Sequence, residues 1–282
     1  MIEDKKVLLS IITPCFNSVK YIEACVVQLS NQTVQGVEHI IVDGGSTDGT
    51  VEKLAALNER FPHLKVLSEK DRGQSDAMNK GIRISVGDYI SFLNVDDYYE
   101  TDAISFAVNY LKEYPKTIAL VGNCNVRLSD GTLFYVNQPS RLLMRHIASG
   151  TSFPVNPSAY FYRRDTHDIL GGYDQDNHYN MDLDWLLRLS QAYTLTYVDK
   201  ILGNFILVED SKTNLDQSTG SAEQRKQEVL AHFVSKLSAR QRALIWLTKF
   251  THSVRIFSRS LARKVSLPIR MIRDKIFKMI RK

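Results

Sequence analysis

Apolar and polar positions fall in blocks along this chain. Runs at residues 7–13, 39–42, 64–67 and 89–93 are short and largely apolar, which predicts buried strands. Between them, residues 21–29, 50–61 and 75–84 read as helices, with Pro14 stopping the first strand and Pro62 closing the second helix. Strand and helix alternate regularly, so the expected fold class is α/β. Right-handed βαβ units would build a mostly parallel sheet covered by helices on both faces.

After Asn125 the pattern changes. Residues 132–136 and 159–162 read as strands and 141–148 as helical, while 150–157 holds too many breakers for a regular element. Residues 182–189 predict a helix in which Trp185, Leu186 and Leu189 pack and Asp184 pairs with Arg188 at i,i+4. Residues 201–208 are a last strand, and 211–221 a polar link.

The first four strands end in Thr13, Asp43, Asp71 and Asp96, which a parallel sheet gathers along one edge. Ligands of open α/β sheets bind at that edge. A core does not need acids there; a nucleotide site does. Asp96 and Asp97 have a plainer reading as a polar turn capping a helix that starts near Thr101. Against it, hard oxygen ligands suit Mg²⁺ or Mn²⁺ on a phosphate-bearing substrate. Gly44, Gly45 and Gly49 allow close backbone approach, and Thr47 or Asp48 can cap the following helix. No G-x-G-x-x-G follows the first strand and no G-x-x-x-x-G-K-[ST] occurs, which disfavours dinucleotide and P-loop sites. His39, His63, His146, His167 and His178 show no metal spacing; His178 lies close enough to the 182–189 helix to contact an acceptor.

Of 282 residues, 44% are hydrophobic and 24% charged, enough for a sizeable core. The net charge of +5 hides a division. Residues 221–282 hold 16 basic and three acidic side chains, a net of +13; residues 1–220 hold 20 and 28, a net of −8. Cys15, Cys25 and Cys124 have no C-x-x-C spacing, which argues against a disulfide framework and a zinc site. The polar start reads as no signal peptide, and no apolar stretch is long enough for a membrane span. Trp246, Phe250, Val254, Phe257, Leu261 and Val265 form one helical stripe, and Ile269, Ile272, Ile276 and Ile280 a second beyond Pro268. Basic residues fill the positions between, so residues 241–282 are expected on an anionic membrane surface; packing on the body or on another chain competes with that reading. Nucleic acid is disfavoured, because the aromatic residues lie in the apolar stripe and not among the basic ones.

The segments 8–17, 41–50, 71–81 and 92–97 together resemble family 2 glycosyltransferases of the GT-A fold, over roughly residues 7–208. The resemblance implies a Rossmann-like GT-A domain over 1–215, with a nucleotide-sugar-binding half (1–125) and an acceptor-binding half (126–215) shaped by the 150–157 loop. A basic amphipathic helical tail, 216–282, follows. It implies inverting, Mn²⁺- or Mg²⁺-dependent transfer from a nucleotide-diphosphate sugar to a glycan or polyprenyl-linked acceptor in surface polysaccharide or lipopolysaccharide synthesis. Thr13, Pro14 and Phe16 match the turn against the nucleobase and ribose, Asp43 the acid bonding the base, and Asp71 a further nucleotide-side acid. Gln74, Asp76 and Lys80 fall near the donor by position. Asn94-Val95-Asp96 stands in the D-x-D place, making Asp96 the metal ligand and Asp97 its support or a donor-sugar contact. Asp182 matches the catalytic base, with Met181 where Glu is usual, and Arg188 matches the helix arginine. The expected location is cytoplasmic, peripheral on the inner face of the cytoplasmic membrane, with oligomeric state open. Two alternatives stand beside it. One is a catalytically silent GT-A module that binds nucleotide sugar or scaffolds a membrane assembly complex. The other, a nucleotidyltransferase, lacks a basic Gly-rich loop after the first strand.

Overall fold

The computed structural model describes residues 7–208, except 33, 62 and 178, and residues 221–258. β1 (Leu9–Cys15), β2 (Val37–Asp43), β3 (Leu64–Ser68) and β4 (Tyr89–Phe92) lie in the order β3-β2-β1-β4, all parallel. Leu9 sits level with both Val37 and Tyr89, so the strands end together and their carboxyl ends share one edge. β1, β2 and β4 are buried along their whole length. That burial is what unbroken apolar runs in a parallel sheet require.

Helices α1 (Ile22–Ser30), α2 (Thr50–Arg60) and α4 (Ala103–Glu113) cover one face; α3 (Gln74–Ile84) and the later helices cover the other. Alternate strand residues divide accordingly. Ile12, Ile40, Val42, Ile90 and Phe92 meet α3, whereas Leu9, Ile11 and Tyr89 meet α1 and α4. The α4 start excludes the plain reading of the two acids: β5 (Tyr98–Tyr99) lies between, and Asp102, at φ 63°, precedes the helix.

Beyond α4 the sheet becomes mixed. β6 (Ala119–Leu128) pairs with β7 (Leu133–Asn137) and β8 (Tyr160–Arg163) antiparallel and with β9 (Thr196–Leu207) parallel. β8 joins this half to β4, and β9 carries β5. The pattern does not predict β6, because buried Asn123 and Asn125 interrupt it. Their amides are satisfied by Asp199, Glu100 and Asn204. β9 begins five residues before the expected strand, where Thr196 meets Leu120. The expected 141–148 helix shortens to α5 (Met144–Ala148); α6 (Thr166–Leu170) and α7 (Met181–Ala192) complete this half.

The boundary of the expected tail needs correction. α8 (Ser221–Ser235) buries Leu230 and Phe233 in the same core as α5 and α7, and Leu237 and Ile245 follow them. Residues up to 245 therefore belong in part to the body's core. The 211–220 part of the expected link, and the stripe beyond residue 258 with Pro268, lie outside the described residues.

Candidate active site

At the carboxyl edge of the sheet lies a cleft of about 1320 Å³. One wall comes from the first four strands and their loops. Pro14 at the end of β1 and Phe16 just beyond it line the cleft, with Gly44 and Gly45 after β2, Asp71 ahead of α3, Gln74 at its start, and Asn94 and Asp96 after β4. Phe16 stays 61% exposed at the lip, an apolar ring held open to whatever enters. A Cβ at Gly44 would run into the Asp71 carboxylate and displace it.

Several expected contacts stand behind this wall rather than in it. Asp43 is fully buried, and Oδ2 accepts from the Gly45 and Ser46 N–H groups (both 3.1 Å) and from Ser68 Oγ (2.7 Å). Burial works against its ionised form, but those bonds together with Ser46 Oγ hold its carboxyl below the usual range. These bonds tie the glycine loop to the end of β2. Thr13, also buried, bonds His39 Nε2 at 2.9 Å. Lys80 is buried, donates to the Lys70 carbonyl (2.7 Å) and pairs with Glu69 (3.0 Å). Asp76 accepts from the Arg72 N–H (3.1 Å) and from Gln175 (2.9 Å). Both brace the Asp71 loop. Arg188 points away from the cleft: it bonds Asp184 (2.9 Å) and the Leu170 and Gly172 carbonyls, anchoring α7 to the 170–172 turn.

Asn94 bridges Asp97 and Gln74. Its Nδ2 donates to Asp97 Oδ2 (2.8 Å) and its Oδ1 accepts from Gln74 (3.1 Å). Asp97 is buried and also accepts from Asn156 Nδ2 (2.7 Å) and the Ile206 N–H (3.0 Å). Burial first, and then the Asp96 charge, push Asp97 up to about 7 despite those bonds. Asp96 faces the cleft with its carboxyl raised by burial.

The opposite wall comes from the second half. Phe153, Val155, Asn156 and Pro157 supply it from the predicted loop, with Tyr135 and Phe205 beside them. Asp182, in the first turn of α7, faces the same cleft. Burial pushes it up to about 6, while a hydrogen bond from the Tyr160 hydroxyl (3.2 Å) pulls the other way. Sequence reasoning missed Ala222, Glu223 and Lys226, which α8 brings to this wall, and Tyr179, whose ring lies 4.0 Å from the Arg225 guanidinium carbon. No local pattern marks them, since α8 reaches the cleft only by packing on α7. His178 lies outside the described residues.

A cleft at the carboxyl edge of a mostly parallel sheet, with acids on both walls, defines an α/β protein of the GT-A type. The family model described as Glycosyl transferase family 2 matches residues 10–170, and the chain belongs to that family. Chondroitin synthase of Pasteurella multocida (strain Pm70) is 30% identical over 224 residues, covering 74% of this chain and 22% of the synthase. The chain thus spans about a fifth of the length of the chondroitin and hyaluronan synthases that it matches. A PGL/p-HBAD biosynthesis glycosyltransferase of Mycobacterium bovis (strain BCG / Pasteur 1173P2) is 30% identical over 205 residues, covering 70% of this chain and 76% of that one. Among solved structures, S. aureus TarS 1-349 in complex with UDP-GlcNAc aligns with a TM-score of 0.61 at 16% identity, covering 84% of this chain and 78% of that one. Mannosyltransferase PcManGT from Pyrobaculum calidifontis, in complex with GDP-Man and Mn2+, aligns at 0.54 and 16%, covering 86% and 79%. These two likenesses concern the fold.

Proposed function

We propose that this chain is an inverting glycosyltransferase. In this reading it moves a sugar from a nucleotide-diphosphate sugar to a glycan or lipid-linked glycan in cell-surface polysaccharide synthesis. The observation that carries the reading is that Asp96, at the end of β4, and Asp182, at the head of α7, open into one cleft. The nucleotide sugars held by the two neighbouring structures support a donor of that class.

The residues fit a divalent cation. Asp96 is a hard oxygen donor facing the cleft, no side chain bonds it among the described residues, and a positive charge would relieve its burial. Mg²⁺ and Mn²⁺ are commonly held by one or two carboxylates plus substrate phosphates. That suits this site, since no cluster of three or more His, Cys, Asp or Glu able to hold a metal occurs among the described residues. Such a cation supplies charge neutralisation at the departing diphosphate. Asp182, at about 6, is mostly ionised at neutral pH and is poised to take the acceptor hydroxyl's proton. A single in-line displacement needs no enzyme nucleophile and inverts the anomeric centre. Pro14, Phe16 and Asp71 then border the nucleotide, and the α8 side of the cleft takes the acceptor.

The helix over residues 239–258 carries the membrane part of the reading. Trp246, Phe250, Val254 and Phe257 are 66%, 52%, 49% and 70% exposed along it. Basic helices with such a face lie in the interface of anionic bilayers. No helix among the described residues is long and apolar enough to cross one.

Calorimetric titration with a panel of nucleotide diphosphates and their sugars, with and without Mn²⁺, tests the donor assignment. One nucleotide should bind in a metal-dependent way, and Asp96→Ala should remove that dependence. Asp182→Asn should lower transfer by about 10²–10⁴-fold and leave donor affinity within about twofold. Folded protein that binds no member of the panel would overturn the reading in favour of a silent scaffold.

A further inference from the structure

We infer that Tyr160 is a positioning residue for Asp182: its hydroxyl occupies Oδ1 and leaves Oδ2 as the oxygen that takes the acceptor's proton. The inference rests on the base reading of Asp182 given above.

Tyr160 opens β8 and is 1% exposed. A buried phenol hydroxyl needs a hydrogen-bond partner, and Asp182 Oδ1 supplies it at 3.2 Å. Burial and the adjacent Asp182 charge hold the phenol well above its ordinary value, so it stays protonated and can only donate to that carboxylate. At 3.2 Å the bond is longer than the usual O–H···O range, as catalytic hydrogen bonds often are before substrate arrives. Tyr160 is pinned at its other end as well. Its backbone pairs with Val121, and its carbonyl accepts from Ser91 Oγ (2.8 Å), which accepts from the Tyr99 hydroxyl (2.9 Å). Ser91 lies on β4, the strand that leads to Asp96. One residue, through its hydroxyl and its backbone carbonyl, therefore ties the head of α7 to the strand that leads to the other acid.

Other titratable groups stand around α7 without bonding this carboxylate. Tyr162 is engaged with His167 Nε2 and the Tyr173 hydroxyl (both 3.0 Å), and Arg188 with Asp184. α5, which packs on α7, carries Arg145 and His146; on α8, Glu223 and Lys226 pair with each other at 3.5 Å. Among the described residues Tyr160 is the one side chain that donates to Asp182.

Carbon-13 NMR of Asp-carboxyl-labelled protein, titrated from pH 4 to 9 without ligands, tests this, with Asp182→Asn assigning the signal. Tyr160→Phe keeps the ring and removes the donor, and should raise the Asp182 midpoint by about one pH unit. Tyr162→Phe, which removes a buried hydroxyl from the same cluster, should move it by less than about 0.3. Incorporating 3-fluorotyrosine at position 160 strengthens the donor and should move the midpoint the opposite way, which keeps the test open if Tyr160→Phe folds poorly. In transfer assays with the donor found by calorimetry, Tyr160→Phe should cost about tenfold at pH 5 and little at pH 8.5. An unmoved Asp182 midpoint in both Tyr160 variants, or a loss equal at every pH, would overturn the inference. If Asp182→Asn kept full transfer, the base reading itself would fail, whatever the NMR midpoints did.

Discussion

Asn94 uses both ends of its amide, donating to Asp97 and accepting from Gln74. A carboxylate at 94 has no amide proton to give, so it would lose the first bond and crowd a third carboxyl beside Asp96 and Asp97. The departure from the usual acid thus has a physical reason in the neighbours. Asp182 shows the cost of holding a base in a buried place. Its folded value of about 6 lies above the ordinary 3.8, so the folded state binds more protons between those values. Stability is therefore lost as pH rises from about 4 through about 6 and stays low above it. Asp182→Asn removes the buried charge and still offers Oδ1 to Tyr160. Its unfolding midpoint should exceed the wild type's by about 2–6 °C at pH 8 and match it below pH 4. Thermal melts at the two pH values check this.

Helix α3 approaches β1 and β2 through a glycine. A Cβ at Gly81 would run into Ile12 Cγ2 and crowd Val42, both packed in the central core. Gly81→Ala should cost about 1–3 kcal/mol by overpacking, read as a lower denaturation midpoint. Since α3 carries Gln74, whose amide meets Asn94, nucleotide binding should weaken with it. The strands and helices of the first half were legible because three of the four apolar runs, β1, β2 and β4, are buried along their length and each helix has one inward face. The second half was less legible. β6 hides behind two buried asparagines, and α8 reads as polar because it buries only Leu230 and Phe233, with Val229 and Val234 partly covered beside them.

At the scale of the whole molecule, an acidic body of −8 and a basic C-terminal segment of +13 share one chain. The core extends as far as Ile245, and Trp246, Phe250, Val254 and Phe257 of the apolar stripe face outward. Replacing Trp246 and Phe250 together by Glu should abolish sedimentation with liposomes containing anionic lipid. Nucleotide binding should be unchanged, because neither residue borders the cleft. Equal sedimentation of wild type and variant would reject the membrane assignment.

From local pattern alone came the alternation of strand and helix, the acids at strand ends, the breaker-rich 150–157 loop and the first-turn position of Asp182. These follow from side-chain periodicity and the one-edge rule of parallel sheets. Tertiary structure decided which acids meet solvent. Asp43 and Asp97 turned inward because backbone and amide donors surround them, while Asp96 and Asp182 kept an open side. It also recruited α8 to the cleft and Tyr160 to Asp182. Hydrogen bonds between residues 22 apart, and a helix wall set by packing on α7, leave no mark in local sequence spacing.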